Sequence, residues 1–414
     1  MGGMGGSGPN DPTVVAEFHR ALLRGGLVVA LLLAGVLVVW QMCRKAQLRQ
    51  VEEGGHVGDG RTPVEPPARR ALRVGFGLLW LFDGVLQAQA SMPLGLIPKV
   101  VRPAAVGSPG WVRSLVDSAA SVWTAHPVTA ATSAVWIQVG IGLLLLVSGS
   151  GAWSRLAGCA AAAWGLIVWV CGEAFGGIFA PGLTWLFGAP GAALLYAAAG
   201  VLLSLPGSVW RTPALGRRIL RVAGVFFVGM AVLQAWPGRG FWHGQAVGAP
   251  GAGSLTRMVR DMAGTPQPDL LASMVRAFGD FDAAHGWAVN LFVVIALAAT
   301  GAALASGRRP AVHAGLAAAG VLCLADWVLV QDLGFVGGVG TDPNSMIPML
   351  LLLAVGQLAQ TRVPVTATEP GDALRSPWRQ RLVTEPVYAL RLAAALAALG
   401  VTLLGAAPMA VAAG

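Results

Sequence analysis

Trp169-Val-Cys-Gly-Glu173-Ala-Phe-Gly176-Gly177 ends a long apolar run with a carboxylate one helical turn after a tryptophan. The spacing returns 158 residues on as Trp327-Val-Leu-Val-Gln331-Asp332-Leu-Gly334. Both stretches place Trp, a polar group at +4 and Gly at +7 at the mouth of a hydrophobic segment. Other pairs recur in the same order around them. Val85-Leu86-Gln87-Ala88 returns as Val232-Leu233-Gln234-Ala235, and each copy leads into a long, more polar loop. The loops carry Val101-Arg102-Pro103 in one copy and Val259-Arg260, then Pro266, in the other. Each ends at a histidine just before the next apolar run, His126 and His285. Chance likeness between alanine-rich helices would not keep rare polar residues in one order, so an internal duplication is expected. One insertion in the second long loop accounts for the change in offset from 147 to 158–159 residues.

Composition sets the class. Mean hydropathy is +0.67, 55% of residues are hydrophobic and only 11% are charged. A soluble domain carries about a quarter charged residues, so an ordinary soluble enzyme is excluded. Several apolar runs reach about 18 residues, the length that crosses a bilayer core, and an all-α integral membrane protein follows. Abundant Gly and Ala suit helices that pack closely in lipid. The net charge of +9 lies in short loops between apolar runs, where it sets orientation and offers no nucleic-acid face. Cys43, Cys159, Cys171 and Cys323 fall in or beside apolar runs without a CxxC pair, and read as small hydrophobes.

Along the chain, residues 1–25 are expected to form a disordered, extracytoplasmic N-terminus, rich in Gly and Pro over 1–13. Residues 26–42 read as an uncleaved signal-anchor span, and 44–70 as a cytoplasmic linker. A first four-span bundle is expected over 71–207, with spans near 72–90, 133–150, 156–173 and 189–205. A second is expected over 217–360, with spans near 219–236, 287–306, 311–330 and 346–360. A cytoplasmic loop over 361–385 and a C-terminal span over 386–406 complete the reading. The result is two tandem four-helix transmembrane bundles plus one flanking span at each end, about ten spans. Arg and Lys concentrate in the loops this assigns inside, and 174–188 and 333–345 have none. Both termini and both long loops, 91–132 and 237–286, then lie outside. Within the loops, Val112, Leu115, Val116, Ala119, Val122 and Trp123, and likewise Leu270, Leu271, Met274, Val275 and Phe278, recur at helical spacing. Each loop should hold an amphipathic helix, on the membrane surface or packed as a lid.

Polar groups inside apolar spans are costly and face a bundle interior or a wet cavity. Trp80, Asp83 and Gln87 share one helical face. With His126, Gln138, Trp169 and Glu173 they form a candidate polar pocket at the outer end of the first bundle. The second-copy counterparts are Gln234, His285, Asp326, Gln331 and Asp332, joined by Asn290. The copies differ: Met230 stands where Asp83 would repeat, and Gln331 where Glu173 would. A carboxyl beside a histidine there would suit a quinone head group and its protons. The plainer readings are hydrogen bonds between helices, helix capping by the histidines and interfacial anchoring by the tryptophans. Gly176-Gly177 and Gly337-Gly338 read as helix stops, and Thr341-Asp342-Pro343-Asn344-Ser345 as an Asx-type turn. No metal-ligand spacing, haem-type histidine pair, GxSxG or Walker sequence is present.

Each copy resembles the small four-span membrane proteins of the DoxX/DoxD-like family. The residues behind the resemblance are Gly77-Leu-Leu-Trp80-Leu-Phe-Asp83-Gly84, the following loop, His126-Pro127, Gln138 to Gly142 and Glu173-Ala-Phe-Gly176-Gly177. The second copy keeps Gln234, His285 and Trp327, so the likeness covers about residues 71–360. It implies a quinone-interacting or redox-partner subunit of a membrane oxidoreductase, working with a redox or sulfur-metabolism protein. A non-catalytic scaffold or assembly protein and a small-solute transporter are the alternatives. The expected setting is a bacterial plasma membrane crossed many times, and no metal is expected.

Overall fold

The computed structural model describes residues 10–52, 65–149, 151–242, 253–336, 339–360 and 386–413. Every regular element among them is helical. Helix α1 spans Pro12–Glu52, α2 Pro67–Gln87 and α3 Met92–Ala104. Next come α4 (Gly110–Ala125), α5 (Pro127–Val147), α6 (Gly151–Gly172) and α7 (Ala192–Ser204). The later elements are α8 (Pro213–Ala235), α9 (Ser254–Ala263), α10 (Asp269–Ala305), α11 (Arg309–Leu329), α12 (Met346–Leu358) and α13 (Pro386–Ala413). Proline opens α2, α5 and α8, where its missing N–H costs no helical bond.

Seven of these helices are long and apolar enough to cross a membrane: α1, α5, α6, α8, α10, α11 and α13. The α2–α3 pair passes the same test only as one segment bent by 96°. Helices α7 and α12, expected as full spans over 189–205 and 346–360, are 13 residues each. That is about 20 Å of helix against a bilayer core of about 30 Å. The Gly-Pro stretch before α7 and the Asp342-Pro343-Asn344 turn before α12 stop the helix from starting earlier.

Two other expectations are corrected. Residues 12–25, read as disordered, form the first turns of α1, and Phe18 there is fully buried. The linker expected from residue 44 is helical as far as Glu52, because α1 continues past its apolar part. Residues 53–64 of that linker, the 361–385 loop and Gly337-Gly338 lie outside the described residues.

Helices α2, α5, α6 and α7 pack as one group, and α8, α10, α11 and α12 as another; α12 also touches α2 and α7. Lipid offers no hydrophobic drive between spans, so close approach of small residues holds such contacts. A Cβ on Gly142 would stand 2.8 Å from the Gly77 carbonyl, and one on Gly301 would stand 2.6 Å from that of Gly224. These two crossings, α2 on α5 and α8 on α10, use glycines at matching places in the sequence. Helix α13 lies along α5, where a Cβ on Gly140 would stand 2.4 Å from the Thr402 backbone. Helix α1 rests on both.

The long loops do contain amphipathic helices. Val112, Val116 and Ala120 of α4 are buried, as are Ala272 and Val275 on the first half of α10. Helix α4 thus packs down on α5, α3 and the 168–177 turn like a lid. A proline precedes each helix, Pro109 and Pro268, and each run breaks at a histidine 16 residues after Gly110 or Asp269. His126 (φ −133°) separates α4 from α5, and His285 (φ −129°) kinks α10.

Candidate functional site

A cavity of about 600 Å³ opens among α2, α3, α4, α5, α6 and α7. Its walls are largely aliphatic, with Trp80, Trp123 and Trp164 among them. Asp83, Gln87, Gln138, Glu173 and Tyr196 also line it, together with Asp342 from the loop before α12. Among the described lining residues none is Lys, Arg or His.

Position follows from local structure. Trp80, Asp83 and Gln87 point inward from one face of α2 and are all buried. Tyr196 is held edge-on between Trp80 (4.7 Å between ring centres) and Phe76 (5.2 Å). Its hydroxyl and the Asp83 carboxyl both line the cavity, without a hydrogen bond between them. Helix α6 ends in a π-turn over Val168–Gly172, so Glu173 sits just past the span. Ala174 to Gly177 then adopt positive φ, reversing the chain. Trp169 Nε1 donates to the Pro190 carbonyl at 2.9 Å, and Glu173 Oε1 accepts from the Ala193 N–H at 3.0 Å. The two turns touch so closely that Gly176 and Gly191 admit no side chain. A Cβ on Gly191 would stand 2.3 Å from Glu173 Oε2.

Much of the polar surface in this cavity has no protein partner among the described residues. Asp83 Oδ1, Gln87 Oε1, Gln138 Oε1, Glu173 Oε2, the Tyr196 hydroxyl and the Trp80 and Trp164 indole N–H groups are buried without a hydrogen bond. Buried polar groups are nearly always satisfied, so this concentration is unusual. Burial, together with the nearby Asp342 carboxyl, raises the Glu173 pKa to about 8. Asp342 is itself raised by burial, against the opposing bonds from Thr341 and the Asn344 N–H.

The second set is bonded at its centre, although Asp326 Oδ1, Gln331 Oε1 and Asp332 Oδ1 are also buried without a partner among the described residues. Gln234 Nε2 donates to Asn290 Oδ1 at 2.7 Å, and its Oε1 accepts from the Thr184 hydroxyl. Gln331 Nε2 donates to Asp326 Oδ2 at 2.8 Å, and Asp332 meets Thr265 at 3.4 Å. Phe227, Met230 and Leu297 occupy its core. The turn after α11 still copies the turn after α6. Asp332, Leu333 and Gly334 have positive φ, like Ala174, Phe175 and Gly176 158 residues earlier. Trp327 Nε1 donates to the Pro343 carbonyl at 2.9 Å, as Trp169 does to Pro190.

Each group also receives the other's loop. Asp342, between α11 and α12, lines the first cavity, while Thr184, between α6 and α7, bonds Gln234 in the second group. Gln89 Nε2 donates to the Gly340 carbonyl, and Arg239 to the Leu183 carbonyl.

Of the first-copy residues expected to form a pocket, Asp83, Gln87, Gln138 and Glu173 come together, with Trp169 behind Glu173. His126 does not: it is exposed at the break between α4 and α5. His285 is exposed too, with its ring stacked on Phe281 and Nδ1 on the Phe281 carbonyl. At the helix break each imidazole turns away from its bundle. Tyr196 and Asp342 were missed. Tyr196 is one of only two tyrosines in the chain and interrupts an Ala-Leu run, which was a usable signal. Asp342 does serve as an Asx-turn residue, but that role hid its second one. No family model, curated protein or solved structure matches the chain.

Proposed function

We propose that this chain is a multi-pass membrane subunit that binds a quinone-like head group in the α2–α7 cavity. The observation that carries the reading is a largely apolar chamber whose buried carboxyl, amide, phenol and indole groups point inward unpaired. A ring with two oxygens and an apolar tail satisfies both kinds of wall. The lack of basic residues in the described lining disfavours anions. Protonated carboxyls at 83 and 173 donate to quinone oxygens, and as carboxylates they accept the two protons released when a quinol gives up two electrons. The electrons pass to a redox group on a partner subunit. This agrees with the DoxX/DoxD-like resemblance.

The same reading takes the chain as a tandem duplication. Seven long helices, the bent pair and the 13-residue α7 and α12, each completing its crossing with the turn before it, make ten passes, with the long loops outside in a plasma membrane. The repeated proline–helix–histidine breaks, glycine crossings and positive-φ turns support it. Titration of the purified chain in nanodiscs with a short-chain quinone, read by tryptophan quenching, tests the function. Saturable binding weakened about tenfold or more by Asp83→Leu is expected, because the donor to the quinone oxygen is removed. Linear quenching that is unchanged in the variant would contradict it.

A further inference from the structure

We propose that a second site, the cleft between α1, α5 and α13, holds the phosphate of an anionic glycerophospholipid on Arg20 and Arg24. The cleft has a volume of about 430 Å³, and while Pro408 of α13 lines it, the next residue, Met409, lines the first cavity. Arg20 and Arg24 stand one turn apart on one face of α1. Among the described residues neither guanidinium forms an ion pair. Glu17 shares the rim, so two cationic groups face one carboxylate. The facing wall of α5 supplies hydroxyls, and that of Thr132 is buried with no partner. Across the cleft, Pro408 interrupts α13 and lacks the N–H that would bond the Leu404 carbonyl one turn back. That carbonyl and Glu17 can accept from headgroup hydroxyls while the arginines hold the phosphate.

The level of the site selects a lipid over a free anion. No charged residue occurs from Gly25 to Cys43, so Arg24 marks the edge of the apolar span. Leu27 and Leu31 continue the face of Arg20 and Arg24 into that span, and both are exposed. A phosphate on the arginines would lay its acyl chains along these leucines. Basic residues at the ends of spans attract anionic lipid, and here two of them converge on a formed cleft.

The experiment is native mass spectrometry of the full chain after mixed-lipid reconstitution with phosphatidylglycerol and phosphatidylcholine. The wild type is expected to retain a phosphatidylglycerol molecule, preferring it over phosphatidylcholine by about tenfold or more. Arg20→Gln/Arg24→Gln should abolish the preference, and Thr132→Val should weaken it. The wild-type competition stands alone should the double variant fail to fold. Retention without headgroup preference, or a preference untouched by the double variant, would overturn the proposal. Equal displacement by soluble glycerol phosphate would show an anion site and overturn the assignment to lipid.

Discussion

The two polar cores have matching frames and different interiors. Around each, a tryptophan indole bonds the carbonyl of a proline, and a run of positive-φ residues, four in the first and three in the second, reverses the chain after the third helix. In the second core Gln234, Asn290 and Thr184 satisfy one another, and Met230 fills the place equivalent to Asp83. In the first core the equivalent amide, Gln87, keeps Oε1 unpaired beside Asp83 and Tyr196. One frame therefore surrounds a bonded Gln–Asn–Thr joint in one place and a chamber in the other. The difference lies in the Gln234–Asn290–Thr184 bonds, since Asp326 Oδ1, Gln331 Oε1 and Asp332 Oδ1 keep unpaired atoms in the second core too.

That contrast is breakable from either side. Gln234→Leu should do the most damage, because Thr184 and Asn290 lose their shared partner inside the bonded joint. A loss of about 2–4 kcal/mol is expected, read as lower thermal stability in detergent. Asp83→Met installs the second core's residue in the first. Removing a buried, unsatisfied carboxyl should raise stability by about 1–3 kcal/mol while quinone binding disappears. A fall in stability would mean that Asp83 holds the helices together.

The third effect depends on pH. The Glu173 pKa in the fold is about 8, above the ordinary value of 4.5, so the folded chain holds a proton that the unfolded chain releases. Its contribution is fully present below about pH 4.5 and is lost as pH rises towards 8. The melting temperature should fall between these limits in the wild type and fall less in Glu173→Gln. Identical slopes would remove Glu173 from the account. The smallest effect belongs to the shared frame: Trp169→Phe should cost about 1 kcal/mol through its single indole bond. Trp327→Phe should cost somewhat more, since that indole also meets the Leu333 carbonyl at 3.0 Å.

The helical, membrane-compatible class was legible because apolar run length is a direct physical requirement. The inward face of Trp80, Asp83 and Gln87 was legible because helical spacing fixes it. Other features depended on what neighbouring segments do. The histidines stand at helix breaks, and only the backbone at 126 and 285 decides that each imidazole turns outward. Tyr196 enters the chamber through its packing between Phe76 and Trp80. Asp342 reaches it because the loop before α12 crosses to the other helix group, 169 residues after Glu173 in the chain. The shortness of α7 and α12 was hidden because the apolar character of 189–205 and 346–360 continues through the Gly-Pro and Asx turns.

Photolabelling of the reconstituted full chain with an azido-quinone, followed by peptide mapping, tests the central claim most directly. The account predicts labels in segments 80–87, 164–177 and 192–196, lost in the presence of excess unlabelled quinone and in Asp83→Met. Labelling confined to the α8–α12 core, or spread evenly over lipid-facing helices with no competition, would contradict it.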